Sequence, residues 1–165
     1  TSNYDAANSI AVDSMDNVYV TGGTEGGLDG NTNAGSRDLF VIKYDPNGAK
    51  QWTKQFGTND LDAANGISTD NLGDVYVTGI TVGGLDGNTK AGSEDLFVVK
   101  YDSNGTKQWT RQLGTSSHDV AQSIAIDKSN NVYITGTTEG GLDGNTSFGS
   151  FDIFIVKYDS LGGKQ

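Results

Sequence analysis

The stretch DLFVIKYDPNGAKQW at Asp38–Trp52 decides the fold class of this chain. Asp38–Tyr44 is an almost unbroken apolar run, and successive side chains of a strand point to opposite faces, so both of its faces are expected to be buried. DPNG at Asp45–Gly48 combines residues that favour tight turns. Lys50–Phe56 then alternates apolar and polar residues, as a strand with one solvated face does. The stretch therefore predicts two antiparallel strands joined by a short turn.

Internal repetition organises the whole chain. YDPNGAKQW at Tyr44–Trp52 returns as YDSNGTKQW at Tyr101–Trp109 and as YDSLGGKQ at Tyr158–Gln165, and the offset between successive copies is constant. The segment 1–57 aligns without gaps on the segment 58–114, and roughly two-thirds of the positions are identical. The third copy lacks the residues that correspond to WTKQFG at Trp52–Gly57, so its outer strand is expected to be truncated. The predicted units are residues 1–57, 58–114 and 115–165.

Each unit carries four predicted strands, which in the first unit are Ala6–Asp13, Asn17–Gly22, Asp38–Tyr44 and Lys50–Phe56. The first strand is rich in Ala and Ser, the third is apolar on both faces and the fourth is the most polar. This gradation is typical of a β-propeller blade, whose first strand lies near the axis and whose last strand lies at the rim. We reject a calcium-loaded β-roll because the Gly/Asp motif of that fold recurs every nine residues, whereas GGLDGNT occurs only once in each unit of this chain. We predict an all-β chain with three β-propeller blades of four antiparallel strands.

The chain contains no cysteine, which excludes disulfides and thiolate metal sites. It is also acidic. Eleven Lys and Arg against 21 Asp and Glu give a net charge of −10, which repels phosphate backbones and anionic membrane surfaces. We therefore expect no nucleic-acid partner. No apolar run approaches the roughly 20 residues of a membrane-spanning helix, so we expect no membrane insertion. The sequence opens with Thr1 rather than Met, as a mature product or an excised fragment does.

The motifs DLFVIKYDPNGAKQW, DAANSIAVD, NVYVTGGT and GGLDGNT together resemble the bacterial β-propeller repeat family called SBBP. The resemblance covers essentially the whole chain. It implies a bacterial protein that is built from such repeats and is exported or displayed at the cell surface. It implies no particular activity. We therefore expect an extracellular or cell-surface location.

Antiparallel strand order predicts which loops are neighbours. The connections after the second and fourth strands leave a blade at the same end, so GGLDGNTNAGSRD at Gly26–Asp38 shares a face with GTNDLD at Gly57–Asp62. We predict that this Asp/Asn/Gly-rich face is the functional one, because binding residues concentrate on loops held by a rigid scaffold. The face gathers Asp5, Asp29, Asp38, Asp62, Asp86, Asp95, Asp119, Asp143 and Asp152.

GGLDGNT at Gly26–Thr32 is a candidate calcium loop. Calcium prefers oxygen ligands from closely spaced carboxylates, amides and carbonyls, and Asp29 and Asn31 stand at the first and third positions of such a pattern. The fifth position holds Lys90 in the second unit, which would place a cation among the ligands. The candidate metal ligands are Asp29, Asn31, Asp38, Asp86, Asn88, Asp95, Asp143, Asn145 and Asp152.

The same residues also fit a purely structural role. Asp29–Gly30 and Asn31 favour left-handed and turn conformations, and their side chains can satisfy amides of the loop backbone. Asp38, Asp95 and Asp152 directly precede the third strand of each unit. A carboxylate there is expected to accept backbone N–H groups and hold the loop to the blade.

The sequence offers little for catalysis. His118, the single histidine, aligns with Tyr4 and Leu61 in the other copies and is expected to be a loop residue. No Ser-His-Asp set can be assembled three times, and an acid–base pair needs two dissimilar environments, so we predict that the chain is not an enzyme. Trp52 and Trp109 on the outer strand can stack on sugar rings or cover apolar surface, and packing is the favoured role.

Three blades form an open arc, because closed propellers have four to eight. Its two flanks would expose apolar sheet faces, and such surfaces favour a partner. We expect either two copies that complete a six-bladed ring or further blades of a longer chain, with a protein or a glycan as an additional ligand. We interpret the chain as a non-enzymatic structural or interaction module of an exported bacterial repeat protein. The alternative is a calcium-dependent or glycan-binding adhesion module.

Overall fold

The computed structural model describes all residues from Thr1 to Gln165 and confirms the all-β prediction. Apart from three single turns of 3-10 helix at Leu28–Gly30, Leu85–Gly87 and Leu142–Gly144, the regular structure is entirely β. No helix of the chain has the length and apolar character needed to cross a membrane. The strands are β1 Asp5–Val12, β2 Val18–Thr24, β3 Asp38–Tyr44, β4 Lys50–Phe56, β5 Asp62–Thr69, β6 Val75–Thr81, β7 Asp95–Tyr101, β8 Lys107–Leu113, β9 Asp119–Ile126, β10 Val132–Thr138 and β11 Asp152–Tyr158.

The strands form three separate antiparallel sheets in chain order. The first sheet is β1-β2-β3-β4, the second is β5-β6-β7-β8 and the third is β9-β10-β11. Lys164 adds an isolated bridge to Tyr158 beside β11, at the position where β4 and β8 begin in the other sheets. Four antiparallel strands per sheet are therefore confirmed for the first two sheets.

The predicted strand limits hold for β3 and β4 and shift for β1 and β2. β1 ends one residue early because the Asp13 carboxylate accepts two backbone N–H groups of the following turn at 2.9 Å. β2 continues past Gly22 to Thr24, because glycine lets the bulged β1 backbone lie directly against it. A Cβ atom on Gly22 would stand only 1.9 Å from the Ala6 carbonyl oxygen.

The sheets pack face to face with their first strands innermost. β5 lies beside both β1 and β9, and two apolar clusters fill the spaces between successive sheets. The first cluster includes Leu39 and Val41 from β3 together with Phe97 and Val99 from β7. The two faces of β7 therefore pack on different sheets, because its Leu96 and Val98 belong to the second cluster. The predicted burial of both faces of a third strand is confirmed for β7, whereas β3 packs on a neighbouring sheet through one face only. This arrangement is consistent with β-propeller repeats.

Candidate functional site on the long-loop face

The long-loop face is formed by the loops 25–37, 82–94 and 139–151 and by the connections 57–61 and 114–118. Arg37 and Leu61 form a parallel bridge, and the Asp62 amide donates to the Arg37 carbonyl at 2.7 Å. Glu94 and His118 repeat the bridge between the second and third sheets. The prediction that these two sets of loops share one face is confirmed, and the contact ties each long loop to the next sheet.

The tip of each long loop has a left-handed backbone. Asp29 has a φ of 50° and Gly30 a φ of 81°, and the values at Asp86 and Gly87 are 54° and 76°. The third loop repeats the pattern. Asp and Gly tolerate this region better than most residues. The predicted left-handed turn at Asp-Gly is therefore confirmed.

The asparagine of GGLDGNT closes the turn as a donor. The Asn31 side-chain amide donates to the Leu28 carbonyl at 2.8 Å, and the Asn31 backbone N–H donates to the same oxygen at 2.9 Å. Asn88 and Asn145 make the equivalent side-chain bonds. The Asn31 side chain therefore satisfies the loop backbone at a carbonyl rather than at an N–H group.

The aspartate of GGLDGNT binds the outer strand. Asp29 accepts from the Lys50 ammonium and from the Thr53 hydroxyl, each at 2.5 Å, and the hydrogen bond from Lys50 contributes most to lowering the pKa of Asp29. Asp86 is bound in the same way by Lys107 and Thr110. In the third unit Lys164 pairs with Asp143. The prediction that these carboxylates satisfy loop amides is therefore wrong, because the left-handed turn directs them across the sheet edge to the fourth strand.

The aspartate before each third strand holds the loop to the sheet. Asp38 is fully buried and accepts from the Ala34 amide at 2.9 Å. Asp95 is also fully buried and accepts from the Ala91 and Gly92 amides at 2.7 and 3.1 Å. Asp152 accepts from the Phe148 amide at 2.8 Å. The predicted role as acceptor of loop N–H groups is confirmed.

A glutamine that the sequence analysis did not single out joins these parts. The Gln55 side chain accepts from the Leu28 amide at 2.9 Å and donates to Asp38 at 2.9 Å and to the Gly26 carbonyl at 3.1 Å. Gln112 makes the same three contacts in the second sheet. The sequence signal that could have identified this glutamine was its recurrence, as Gln55 and Gln112, at the same position of the predicted outer strand.

The candidate metal ligands are thus placed on one face but in different roles. Within a loop, Asp29 points to the outer strand, Asn31 to a turn carbonyl and Asp38 into the buried loop base. No group of three or more Asp, Glu or His side chains lies close enough to hold a metal ion. Calcium binding by these nine residues stays a prediction.

Two buried carboxylates meet where the first and second sheets join. A Cβ atom on Gly57 would lie 2.3 Å from Asp38 Oδ1 and 3.1 Å from Asp62 Oδ2, so this glycine allows both groups to approach. Asp38 Oδ1 has no hydrogen-bond partner. Burial raises the pKa of Asp62, and the nearby charge of Asp38 raises it further. The pKa of Asp62 therefore lies above its ordinary value.

This raised pKa predicts a pH-dependent effect of Asp62→Asn. A group whose pKa is higher in the folded state stabilises the fold below its unfolded pKa of about 3.8, and this contribution is lost as pH rises through the folded pKa. Asparagine stays neutral and can still accept the Thr58 N–H, so the variant should gain stability relative to the parent as pH rises through that window. Urea denaturation between acidic and neutral pH at constant ionic strength measures the difference.

Asp127→Asn is the control, because its stability relative to the parent should change with pH in the opposite direction. Hydrogen bonds from Asn131 are the main cause of the lowered pKa of Asp127, so its stabilising effect is present above about pH 3.8 and is lost as pH falls through the folded pKa. The Asp127→Asn variant should therefore lose stability relative to the parent as pH rises. A pH-independent difference for Asp62→Asn would contradict the raised pKa.

The histidine and the tryptophans have structural surroundings. His118 Nδ1 lies 3.2 Å from Glu94 Oε2 at the exposed bridge between two sheets, as expected of a loop residue. Trp52 packs against the first apolar cluster, and its indole N–H points to the Ser103 carbonyl of the next sheet at 3.4 Å. Trp109 repeats this contact with Ser160. The favoured packing role of the tryptophans is confirmed.

Repeated antiparallel sheets, innermost first strands and long loops gathered at one end define a chain of the β-propeller-repeat class. The SBBP family model, which describes a beta-propeller repeat, matches residues 51–86 and 108–143. Each match begins in an outer strand and ends in the GGLDGNT loop of the next sheet. The chain therefore contains SBBP beta-propeller repeats, and the resemblance noted in its sequence is confirmed.

Two relatives share this region. The chain is 29% identical over 159 residues to an uncharacterized WD repeat-containing protein, L264, of Acanthamoeba polyphaga mimivirus, and the match covers 79% of this chain and 11% of that protein. It is 25% identical over 165 residues to the regulatory protein FlaEY of Caulobacter vibrioides, with 90% of this chain and 17% of that protein covered. Each relative is therefore several times longer than the segment it shares with this chain.

Proposed function

We propose that this chain is a non-enzymatic protein-interaction module that binds a protein ligand through its long-loop face. The observation that carries the proposal is one internally braced loop that occurs in all three units, with the aspartate contacts in each unit and the glutamine brace in the first two. Asp29, Asp38 and Gln55 each use their hydrogen bonds to hold the loop in place, which leaves its tip rigid and its outer surface free. A preformed surface binds with a smaller loss of conformational entropy than a flexible one. The β-propeller repeats and the WD-repeat relative support the same role.

Selectivity in this proposal comes from the positions at which the three loops differ. Asn33, Lys90 and Ser147 occupy the same place in otherwise similar loops, and each follows an exposed or partly exposed threonine. Phe148 replaces the alanine of the other two loops and is 89% exposed. Aromatic residues are enriched at protein interfaces, so the third loop is the expected centre of the contact.

We extend the proposal to the cellular location of the protein and to the larger repeat protein that would contain this segment. An exported bacterial repeat protein at the cell surface or outside the cell follows from the family resemblance. The longer relatives support a segment that works with further repeats of a larger protein.

Affinity capture with face-specific variants tests the interaction. One variant carries Thr32→Lys, Thr89→Lys and Phe148→Ser on the exposed loop tips, and the matched control carries Asn47→Lys and Asn104→Lys on exposed turns at the opposite end. We expect a ligand from the source organism to be retained by the parent and the control and to be lost from the loop variant. Equal retention by all three would contradict binding through this face.

The alternative proposal is a calcium-dependent or glycan-binding adhesion module. It is supported by the exposed position of Asp29, Asp86 and Asp143 on the loop tips. A glycan array tests glycan binding directly. A glycan signal that the parent gives and the loop variant lacks would favour a glycan-binding module over a protein-binding one.

Millimolar calcium is expected to leave the thermal midpoint unchanged. Asp29 and Asp86 are paired with lysines, and Asp38 and Asp95 are bound to loop amides, so calcium would have to displace protein contacts in every loop. A ligand present at 100 times its Kd that binds only the native state adds about 2.7 kcal/mol of stability, which a melting experiment detects. Magnesium at equal ionic strength is the control. A calcium-specific increase would favour the adhesion module.

A further inference from the structure

A buried lysine has different partners in the first two units. Lys100 on β7 forms an ion pair with Asp74 at 2.8 Å. Lys43 holds the same position on β3 and is only 9% exposed, but its ammonium group donates to the Ser103 carbonyl of the second sheet at 3.0 Å and forms no ion pair. Burying an ammonium group costs free energy unless an anion and further hydrogen bonds compensate it. Lys43 therefore keeps donor capacity that Lys100 uses on a carboxylate.

A difference of one residue between the units explains these partners. Asn17 stands where the second unit has Asp74, and the backbone N–H of each donates to an aspartate of its own turn, at 2.9 and 3.0 Å. The Asn17 side-chain amide is turned to Asp13 at 2.8 Å, so it does not compensate the ammonium group of Lys43. Both ammonium groups lie over a tyrosine ring, 5.3 and 5.0 Å from its centre, so that contact does not distinguish the units. The first unit therefore differs by having no carboxylate beside its lysine.

A polar cavity of about 270 Å³ lies beside this lysine, between the first and second sheets. Its lining includes Asn17, Lys43, Gln51, Trp52, Ser103 and Asn104. No such cavity occurs between the second and third sheets. There Leu161 replaces Asn104, and the Arg111 side chain donates to the Gly162 carbonyl at 2.8 Å. The lysine without an ion pair and the cavity therefore occur together, at one junction only.

The lining of the cavity favours a small acid that also carries hydroxyl groups. Lys43 supplies a buried cation, which suits a carboxylate. Asn17, Gln51 and Asn104 supply uncharged amide groups that can donate or accept hydrogen bonds, which suits hydroxyl groups. Ligand pockets for drug-sized molecules measure about 300–1,000 Å³, so a cavity of about 270 Å³ suits one smaller molecule.

Two other residues of the lining narrow the ligand chemistry. Asp45 is the acidic one, and its carboxylate accepts from two backbone N–H groups of its own turn at 2.9 Å and from the Gln51 side chain at 3.0 Å. Trp52 packs against Tyr19 on one side, with ring centres 6.0 Å apart, and a Cβ atom on Gly105 would lie 3.1 Å from its ring. The indole is thus covered by the protein and forms a wall of the cavity rather than a stacking platform.

We propose that this cavity binds a small sugar acid, of the size of one hexuronate, whose carboxylate pairs with Lys43 as Asp74 pairs with Lys100. The hydroxyl groups of the ligand bond to the three side-chain amides of the lining. The site lies at the end of the sheets that carries the short turns after β1 and β3, opposite the long-loop face. It is therefore separate from the interaction surface proposed above. The net charge of −10 opposes an anionic ligand at long range, and salt screens that repulsion.

The indole N–H signals of the two tryptophans report binding by NMR. The Trp52 N–H points at 3.4 Å to the same Ser103 carbonyl that accepts from Lys43, so drawing the ammonium group to a ligand should shift the Trp52 signal. Trp109 makes the equivalent contact between the second and third sheets and is the internal control. We expect glucuronate, at constant pH and about 0.15 M salt, to shift the Trp52 signal saturably and to leave the Trp109 signal in place. Glucose lacks the carboxylate and acetate lacks the hydroxyl groups, so neither should shift the Trp52 signal at the same concentrations.

Asn17→Asp gives the first unit the residue that the second unit already has, so the variant should fold and supply Lys43 with an internal carboxylate. We expect it to weaken glucuronate binding by about 30-fold or more, because breaking a contact to a buried charge costs at least that factor. Lys43→Gln removes the cation and should weaken binding by a similar factor. Asp74→Asn makes the reverse exchange in the second unit, and this matched control should keep the Trp52 response of the parent.

Several outcomes would overturn the proposal. One is a Trp52 signal that glucuronate does not shift, and another is equal shifts by glucose or acetate. A third is unchanged binding by Asn17→Asp and Lys43→Gln chains whose amide spectra are native. The loop variant with changes on the long-loop face should bind glucuronate as the parent does, and loss of its response would place the site on that face instead.

Discussion

Leu96→Ala is expected to lower the free energy of unfolding by about 2–5 kcal/mol, the usual cost of deleting most of a buried leucine side chain. Leu96 is fully buried between the second and third sheets, where it belongs to the same cluster as Ile134 and Phe154. The substitution leaves a cavity that the surrounding strands, fixed by their hydrogen-bonded ladders, cannot close. Urea denaturation followed by circular dichroism measures the loss.

Ile153→Ala is the matched control, because Ile153 holds the equivalent position on the third sheet, on a face that no other sheet covers, and is 87% exposed. Its cost should stay within about 0.5 kcal/mol, as for most surface substitutions. The difference between the two variants measures what one sheet gains from covering the next. Equal costs would mean that the sheets are stable without each other, and the stabilising role of their face-to-face packing would then be contradicted.

Asp95→Ala is the second large effect, with an expected loss of about 2–4 kcal/mol. Hydrogen bonds to a charged group contribute about 1.5–3 kcal/mol each, and leaving buried partners unsatisfied adds a desolvation penalty. Asp95 accepts from the Ala91 and Gly92 amides and from the Gln112 side chain, so all three donors lose their acceptor together. Removing a carboxylate that is itself buried offsets part of this loss.

The effect of Asp95→Ala should be local as well as global. Hydrogen exchange at Ala91 and Gly92 is expected to accelerate, because their N–H groups are held by this carboxylate. Asp152→Ala is the matched control. Asp152 is only partly buried and accepts from one backbone amide, that of Phe148, so its substitution should cost about 1 kcal/mol. Unchanged exchange in the loop of the Asp95→Ala chain would contradict the bracing role that underlies the proposed rigid binding face.

Much of this fold could be predicted because its signals are local and are repeated. The apolar run of Asp38–Tyr44, the turn residues after it and the alternation of Lys50–Phe56 each follow from one strand or turn, and their return at a constant offset showed that the whole unit recurs. The acceptor role of Asp38 was also predictable, because a carboxylate directly before a strand faces the free N–H groups of the loop that leads into it. The strand order then sufficed to place the long loops and the inter-unit connections on one face.

The candidate site was predicted less completely. GGLDGNT was recognised as a turn with oxygen-bearing side chains, but the partners of Asp29 are Lys50 and Thr53, which lie on β4 and are separated from it by the rest of the loop and all of β3. Gln55 drew no attention because a glutamine on an outer strand has the same local pattern whether it faces solvent or a loop. Both contacts depend on how the loop folds back over the edge of its own sheet.

The amino-acid pattern alone established that the chain is all-β, that it is repeated and that its third strands are apolar on both faces. Those properties depend on residue type and spacing within one unit. The folded chain was needed to show which side chain each loop carboxylate binds, that a Gln braces the first two loops, and which sheet faces cover each other. These depend on distances between segments that are remote in the sequence, and such distances are set by the packing of whole sheets rather than by any local preference.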